Sequence, residues 1–246
     1  MNIIKFTPTG SNFNNEYQEP KPAIDLIPSW YKKLSRFGGS NNTIDLNPVN
    51  DRGTDGSAAS TKLCMPFFDA VTSGYMYLLD FDVEVSIDED GFPTLFWDGN
   101  HMVLDKRLMI DVAVPYQHHP LHFGWKTNWY TQVPSGYSIL ITHPMNRHDL
   151  PFTTLSGIVD ADQWFTPVFI SFFLKRNFVG TIKKGTPLFQ MIPIKRETWD
   201  MQIDDTDQSR YMNSVEEERR RTAIYGYYKD NTWEKKKYKG DKNETS

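Results

Sequence analysis

Residues 75–87 alternate along the chain. Tyr75, Tyr77, Leu79, Phe81, Val83, Val85 and Ile87 fill one set of positions; Met76, Leu78, Asp80, Asp82, Glu84 and Ser86 fill the other. Period two over thirteen residues predicts a strand with one apolar face and one that turns acidic. On that reading Tyr77, Leu79, Phe81, Val83 and Val85 share one core, and Phe81→Ala costs about 3–5 kcal/mol. Asp88-Glu89-Asp90-Gly91 predicts a tight turn, with residues 92–97 returning as hairpin partner. Strand-like segments follow at 107–114, 122–132, 136–143, 152–160, 166–174 and 187–194, punctuated by Pro and Gly. That spacing suits an all-β sandwich or barrel.

Helical patterning is confined to the flanks. Residues 24–37 predict a short helix, with Pro28 at its first position, Trp30, Tyr31 and Leu34 on one face, and Gly38-Gly39 as its end. Residues 38–60 keep no hydrophobic period and predict a long mobile loop. Residues 64–74 predict one or two helical turns between Pro66 and Gly74. Residues 214–224 predict a helix whose early glutamates and late arginines suit the helix dipole. The expected fold is mainly β: one β-rich, sandwich- or barrel-like domain with short helices near the N-terminus and a helical, basic C-terminal extension. The expected divisions are an arm with helix and loop (1–60), a β core (61–199), and a helix with basic tail (200–246).

Composition narrows the class. Of 246 residues, 39% are hydrophobic and 14% aromatic, which excludes wholesale disorder. The apolar runs are too short for a membrane helix, and the first residues show no signal-peptide pattern. A single cysteine, Cys64, excludes a disulfide framework and a cysteine zinc site within the chain. It is expected to be a buried structural thiol in a reducing cytoplasm. Net charge is −4, which argues against a general nucleic-acid binder. Residues 219–242, opening on Arg219 and closing on Lys242, nevertheless carry nine basic and three acidic side chains, or +6, leaving −10 for the rest. That tail acts in trans on an acidic partner or nucleic acid, or folds back on Asp80, Asp82, Glu84 and the 88–90 turn. The β domain is expected to stay folded without residues 229–246.

Candidate chemistry is sparse. All six histidines lie between His101 and His148. His118 or His119 with His122 and His143, plus Asp149, has the ligand types of a metal site. No HExxH accompanies them, and His118-His119-Pro120 reads as a loop of ordinary hydrogen-bonding histidines. No G-x-S-x-G elbow, Walker loop or G-x-G-x-x-G occurs. The tryptophans read mainly as core. Trp164 is the exception, because it follows Asp160-Ala161-Asp162 in a turn and can stack on a ring.

Two resemblances add to this. Residues 133–195 hold Pro134-Ser135-Gly136-Tyr137, then Gly157-Ile158-Val159-Asp160-Ala161-Asp162, then Lys184-Gly185-Thr186 ahead of Gln190. That order resembles the trimeric dUTPase and dCTP deaminase superfamily. The resemblance implies a dUTPase-like scaffold, with Asp160 matching the water-orienting acid and Gln190 the phosphate-side amide. The family's P-R-S-S motif is replaced by Thr142-His143-Pro144-Met145-Asn146-Arg147, and its A-G-x-D-L motif and Gly-Ser-rich flap are missing. Over most of the chain, Ile27-Pro28-Ser29-Trp30-Tyr31-Lys32, Cys64-Met65-Pro66-Phe67-Phe68-Asp69-Ala70, Gly74-Tyr75, Pro134-Ser135-Gly136-Tyr137-Ser138, Ser156-Gly157-Ile158-Val159-Asp160 and Lys184-Gly185-Thr186-Pro187 resemble uncharacterised proteins of tailed phages. That implies a phage protein in the host cytoplasm during infection, or in the virion.

The leading expectation is a non-catalytic binding or assembly protein. The alternatives are a nucleotide-binding or nucleotide-hydrolysing protein on a dUTPase-like scaffold and, third, a histidine-metal enzyme. The expected ligand site joins His143, Arg147, Asp160, Asp162, Trp164 and Gln190. Arg147 offers a fork to an anion, Asp160 holds a polar or sugar-like group, and Trp164 stacks. Expected partners are a phage or host protein or a small anionic ligand, with a homo-oligomer among the options. Nucleic acid is expected only through the tail and a membrane not at all; no cofactor or metal is assigned.

Overall fold

The computed structural model describes residues 2–9, 17–38, 58–98, 104–107, 113–203, 208–223 and 226–240. The mobile loop expected at 38–60, His101 and most of the segment 107–114 fall largely outside them. Strands β1 (Lys5–Pro8) and β2 (Lys21–Pro22) precede helix α1 (Ser29–Lys33), β3 (Phe37–Gly38), β4 (Ala58–Ala59) and helix α2 (Met65–Thr72). Then come β5 (Tyr75–Leu78), β6 (Val83–Ile87), β7 (Pro93–Trp97), β8 (Leu104–Arg107), β9 (His118–Lys126), β10 (Trp129–Gln132) and β11 (Tyr137–Thr142). The remaining strands are β12 (Phe152–Thr154), β13 (Gly157–Val159), β14 (Phe169–Lys175), β15 (Gly180–Ile182) and β16 (Pro187–Lys195). Helices α3 (Gln208–Ala223) and α4 (Tyr227–Asn231) follow. No helix among the described residues is long and apolar enough to cross a membrane.

The chain packs as two units. The first comprises Met1–Leu26, Ser73–Arg196 and Tyr238–Ser246; the second comprises Ile27–Thr72 and Glu197–Lys237. Among the described residues, the regular structure of the first unit is strands and one 3₁₀ turn, Ala23–Leu26. Its sheets run β13-β11-β16-β5-β2, β12-β14-β9-β8, β15-β6-β7 and β1-β10, all antiparallel. The mainly β expectation therefore holds, with short helices beside it. At the centre, Trp125 of β9 stacks on Phe172 of β14 with ring centroids 3.7 Å apart, and Phe152 of β12 meets both rings edge-on. All three are fully buried.

The long strand expected at 75–87 is two strands in two sheets. β5 pairs with β16 and β2, whereas β6 pairs with β7 and β15. At the break, the Leu79 N–H donates to Thr186 O at 2.9 Å, and the Gly185 N–H donates back to Leu79 O at 2.8 Å. Asp82 is held there by the Lys184 N–H at 2.7 Å and Lys183 Nζ at 2.8 Å. Alternation survives this bend, so periodicity alone does not reveal it. Phe81 lies in the break, half-buried, with Lys184 Nζ 5.8 Å from its ring centroid. Leu79 is completely buried. In denaturant melts Leu79→Ala is accordingly expected to cost about 2–5 kcal/mol and Phe81→Ala clearly less.

Asp80, placed by its period on the outer acidic face, is buried. Its carboxylate accepts from the Gln18 N–H at 2.6 Å and from Asn128 Nδ2 at 2.9 Å. The Asn128 N–H in turn donates to the Tyr77 hydroxyl at 2.5 Å. Burial, and then the Asp80 charge, push the Tyr77 phenol well above its ordinary range. This network ties the N-terminal segment to β5 and to the turn between β9 and β10. Asp80→Ala strands one buried and one part-buried donor and is expected to cost about 1–3 kcal/mol in chemical denaturation.

Other boundaries shift for identifiable reasons. The segment 122–132 breaks at Thr127-Asn128, where Thr127 Oγ1 donates to Val168 O at 3.1 Å. The segment 152–160 splits because β12 pairs with β14 and β13 with β11. His118 and His119, expected in a loop, are buried in β9. Pro28 stands before α1 with extended backbone, so the helix expected over 24–37 becomes a 3₁₀ turn at Ala23–Leu26 and five helical residues. A proline biases its predecessor away from helix, which makes this break natural. The hairpin holds as expected: Gly91 has φ +82°, and Asp88 Oδ1 accepts from the Asp90 and Phe92 N–H groups.

The second unit centres on Tyr31, which is buried and stacked on Phe67 at 5.6 Å. Lys62 Nζ sits 4.6 Å above that ring and donates to Tyr31 O at 2.8 Å. Cys64 is exposed, contrary to expectation, because it caps the 3₁₀ turn Thr61–Leu63 while α2 buries its far end at Val71 and Thr72. The basic tail folds back, but onto Asp69: Trp233 Nε1 donates to Asp69 Oδ2 at 2.9 Å, and Lys236 pairs with the same oxygen at 2.8 Å. Asp80 and Asp82 are already occupied, as described.

Candidate functional site

β11 is the spine of the site. Its register sets Leu140 opposite Ile158 of β13 on one side and opposite Ile192 of β16 on the other. Successive side chains point to opposite faces of a sheet. Ser138 and Asp160 therefore share one face, while Ile139, Ile141 and Val159 share the core face.

On the outer face two acids are clamped by Arg196, the residue after β16. Its Nη1 donates to Asp162 Oδ1 at 2.9 Å, to Asp160 Oδ1 at 3.3 Å and to Tyr137 O at 2.8 Å, while Nη2 reaches Asp162 Oδ2. Asp162 also accepts from the Gly136 N–H at 2.9 Å, and Asp160 accepts from the Ser138 hydroxyl at 2.6 Å. The Arg196 fork, followed by the Gly136 N–H, lowers the Asp162 carboxyl to about 2. A depressed carboxyl stabilises the fold above its ordinary value of 3.8, and that contribution fades as pH falls toward 2. In Arg196→Gln the Asp162 carboxyl is expected to titrate nearer 3.8, read by carboxyl-carbon NMR.

At the other end of β11 the chain turns through residues 143–149. His143 Nδ1 accepts from the Thr154 N–H at 3.3 Å, so the proton sits on Nε2 and faces Arg147 O at 3.1 Å. Burial, with His148, Lys175 and Arg147 nearby, lowers its pKa and favours the neutral ring. Arg147 turns its fork onto Asp149, with Nε–Oδ1 at 2.9 Å and Nη2–Oδ2 at 3.0 Å. Gln190, fully buried, accepts from the Met145 N–H at 2.9 Å and donates to Ser73 O at 2.6 Å.

Trp164 stands apart from both groups. Its N–H closes the turn onto Asp160 O at 2.9 Å, and its ring is 54% exposed. With Tyr77, Trp129, Val159, Phe189 and Met191 it lines a shallow cleft whose interior, about 20 Å³, has room for little more than one water. Tyr77 and Phe189 stack at 4.9 Å within that lining.

The six expected residues thus occupy three places. Asp160 and Asp162 come together. His143, Arg147 and Gln190 come together around the turn after β11. Trp164 opens on the core-face cleft. Ser138 and Thr142 are four residues apart, about 13 Å of strand, which keeps the first two groups separate. Arg196, Ser138 and the cleft residues Tyr77 and Trp129 were not anticipated. Arg196 meets Asp162 across 34 positions of sequence, and no local pattern signals that pairing. Among the described residues, no three His, Cys, Asp or Glu side chains are grouped as metal ligands would be.

No protein-family model matches the chain, and no curated protein matches it. The solved structures it resembles include dUTPases of staphylococcal phages. A point mutant of the Staphylococcus bacteriophage 80alpha dUTPase aligns at TM-score 0.37 and 11% identity, over 85% of this chain and 99% of that one. A mutant dUTPase from phage phi11 of S. aureus, described with a structural Mg(II) ion, aligns at TM-score 0.32 and 13% identity, over 55% and 85%. A second 80alpha dUTPase mutant, in complex with dUpNHpp, gives 0.32 and 14%, over 55% and 78%. No residue role is carried across from them.

Proposed function

We propose that the chain is a non-catalytic binding protein that stacks a flat, largely apolar ring on the exposed face of Trp164, at the mouth of the cleft. The half-exposed indole at the mouth of that aromatic-lined cleft carries the reading. Aromatic faces stack on rings at centroid separations of 4.5–7 Å. The polar groups that would run a reaction are otherwise engaged. Asp160 and Asp162 are spanned by Arg196, the Arg147 fork is taken by Asp149, and both ends of the Gln190 amide have partners. A neutral ring therefore suits the site better than a polyphosphate. In the phage setting that the resemblance implies, the protein would act in the host cytoplasm or the virion.

Titrating the full chain with nucleosides and their triphosphates, with tryptophan fluorescence as readout, tests this. A nucleoside and its triphosphate are expected to bind alike, and Trp164→Ala is expected to weaken both about tenfold or more. Triphosphate binding far tighter than nucleoside binding, or turnover of a triphosphate, would establish the nucleotide reading instead. No response to any ring compound would remove the mouth of the cleft as a ligand site.

A further inference from the structure

We propose that His143 is a proton-operated latch: its neutral ring ties the outer edge of β12 to the turn after β11, and taking up a second ring proton releases that edge. This does not rest on the Trp164 reading. β12 is the end strand of the sheet β12-β14-β9-β8. The Lys175 N–H donates to Pro151 O at 2.9 Å and the Leu155 N–H to Ser171 O at 2.8 Å, so positions 151 and 155 turn their bonding groups toward β14. Alternate positions of an antiparallel strand turn theirs the other way. Thr154 therefore presents its N–H at the outer edge, where His143 Nδ1 accepts it at 3.3 Å.

That bond works in one protonation state. A backbone N–H can only donate, so Nδ1 must be bare, and the ring proton on Nε2 faces Arg147 O at 3.1 Å. A second proton goes to Nδ1 and sets two donors against each other. His118, on the neighbouring Thr153, behaves differently. Its Nδ1 meets Tyr116 O at 2.8 Å and its Nε2 meets Thr153 Oγ1 at 2.9 Å. A hydroxyl turns from donor to acceptor, so a protonated His118 keeps both contacts. Of the two histidines bonded to β12, His143 is the one that loses a partner when charged.

The surroundings oppose that charge. Arg147 and His148 of its own turn and Lys175 of β14 face the ring. The Arg147 fork holds the Asp149 carboxylate, and Lys175 Nζ donates to His148 O. β12 brings Phe152, edge-on at 6.0 Å, and Thr154; β16 brings Gln190, bonded to the Met145 N–H; none of these titrates. Burial, with these cations, favours the neutral ring. The latch therefore contributes fully above the ordinary imidazole value of 6.5, and its contribution declines as pH falls below it. Thr154 Oγ1 donates to Leu188 O at 2.6 Å in either state, which keeps the strand docked and confines the release to its edge.

Amide hydrogen exchange on the full chain, corrected for the intrinsic rate at each pH, tests this. Thr154 protection is expected to fall by up to about tenfold per pH unit below 6.5 and to level off at the midpoint of the His143 ring titration, followed by NMR. Protection of Leu140, held between β13 and β16, is expected to stay constant. His143→Asn places a side-chain oxygen near the position of Nδ1 and takes no proton, so Thr154 protection should become independent of pH. Constant Thr154 protection in the native chain between about pH 8 and pH 4, a fall shared equally by Leu140, or the same fall in His143→Asn would overturn the proposal. If His143→Asn fails to fold, the native chain decides: a Thr154 curve that does not level off at the His143 ring midpoint overturns it.

Discussion

Gly74→Ala is expected to unfold the β unit or to cost more than about 3 kcal/mol, read as a collapse of the denaturation midpoint. Gly74 has φ +70°, a region that L-residues with a Cβ occupy only at a cost. A Cβ built there would lie 2.0 Å from Met191 O and 3.0 Å from Ile192 Cγ1. The first of these is backbone in the middle of β16, so no side-chain rotation relieves it. The Gly74 carbonyl also accepts the Ala23 N–H at 3.0 Å, which fixes the N-terminal segment beside β5. If Gly74→Ala melts like the native chain, then β5 and β16 do not approach as described.

Phe172→Ala is expected to cost about 3–5 kcal/mol in two-state denaturation. Phe172 is fully buried and pairs with Phe123 across β9 and β14, while its ring covers Trp125 and meets Phe152. The Trp125 indole N–H is itself buried without a protein partner, so the indole is held by packing alone. Phe172→Leu, which keeps most of the volume, is expected to recover much of the loss. Equal melts for the two variants would mean that this aromatic stack is not a structural centre.

The sequence makes the elements legible more readily than their partners. β11, β14 and β16 fall within a residue or a few of the predicted segments, because each is a mostly apolar stretch with a Gly or Pro at or just before its start. The break after Leu78 is invisible, because alternation continues across it while the hydrogen bonds pass to a different sheet. The burial of Asp80 is invisible for a related reason: its partners Gln18 and Asn128 lie 62 and 48 positions away. At the candidate site, the turn that presents Asp160, Asp162 and Trp164 can be read from the residues, but the division of its side chains between two sheet faces cannot. That division depends on Ser138 and Ile139 lying opposite neighbours that are distant in sequence.

The Tyr75 hydroxyl donates to Lys239 O at 3.1 Å, and the Tyr75 ring meets Tyr238 edge-on at 6.0 Å. Both belong to the unit that begins with β1 and holds β5 through β16. During translation, β16 leaves the ribosome well before residues 238–240, and the residues made between them belong to the other unit. The nascent β unit must therefore spend that interval with its Tyr75 corner uncovered. Contacts between segments so far apart in sequence form late and slowly, because chain closure has to precede them. Slow synthesis of residues 197–237 would lengthen the exposure of that corner.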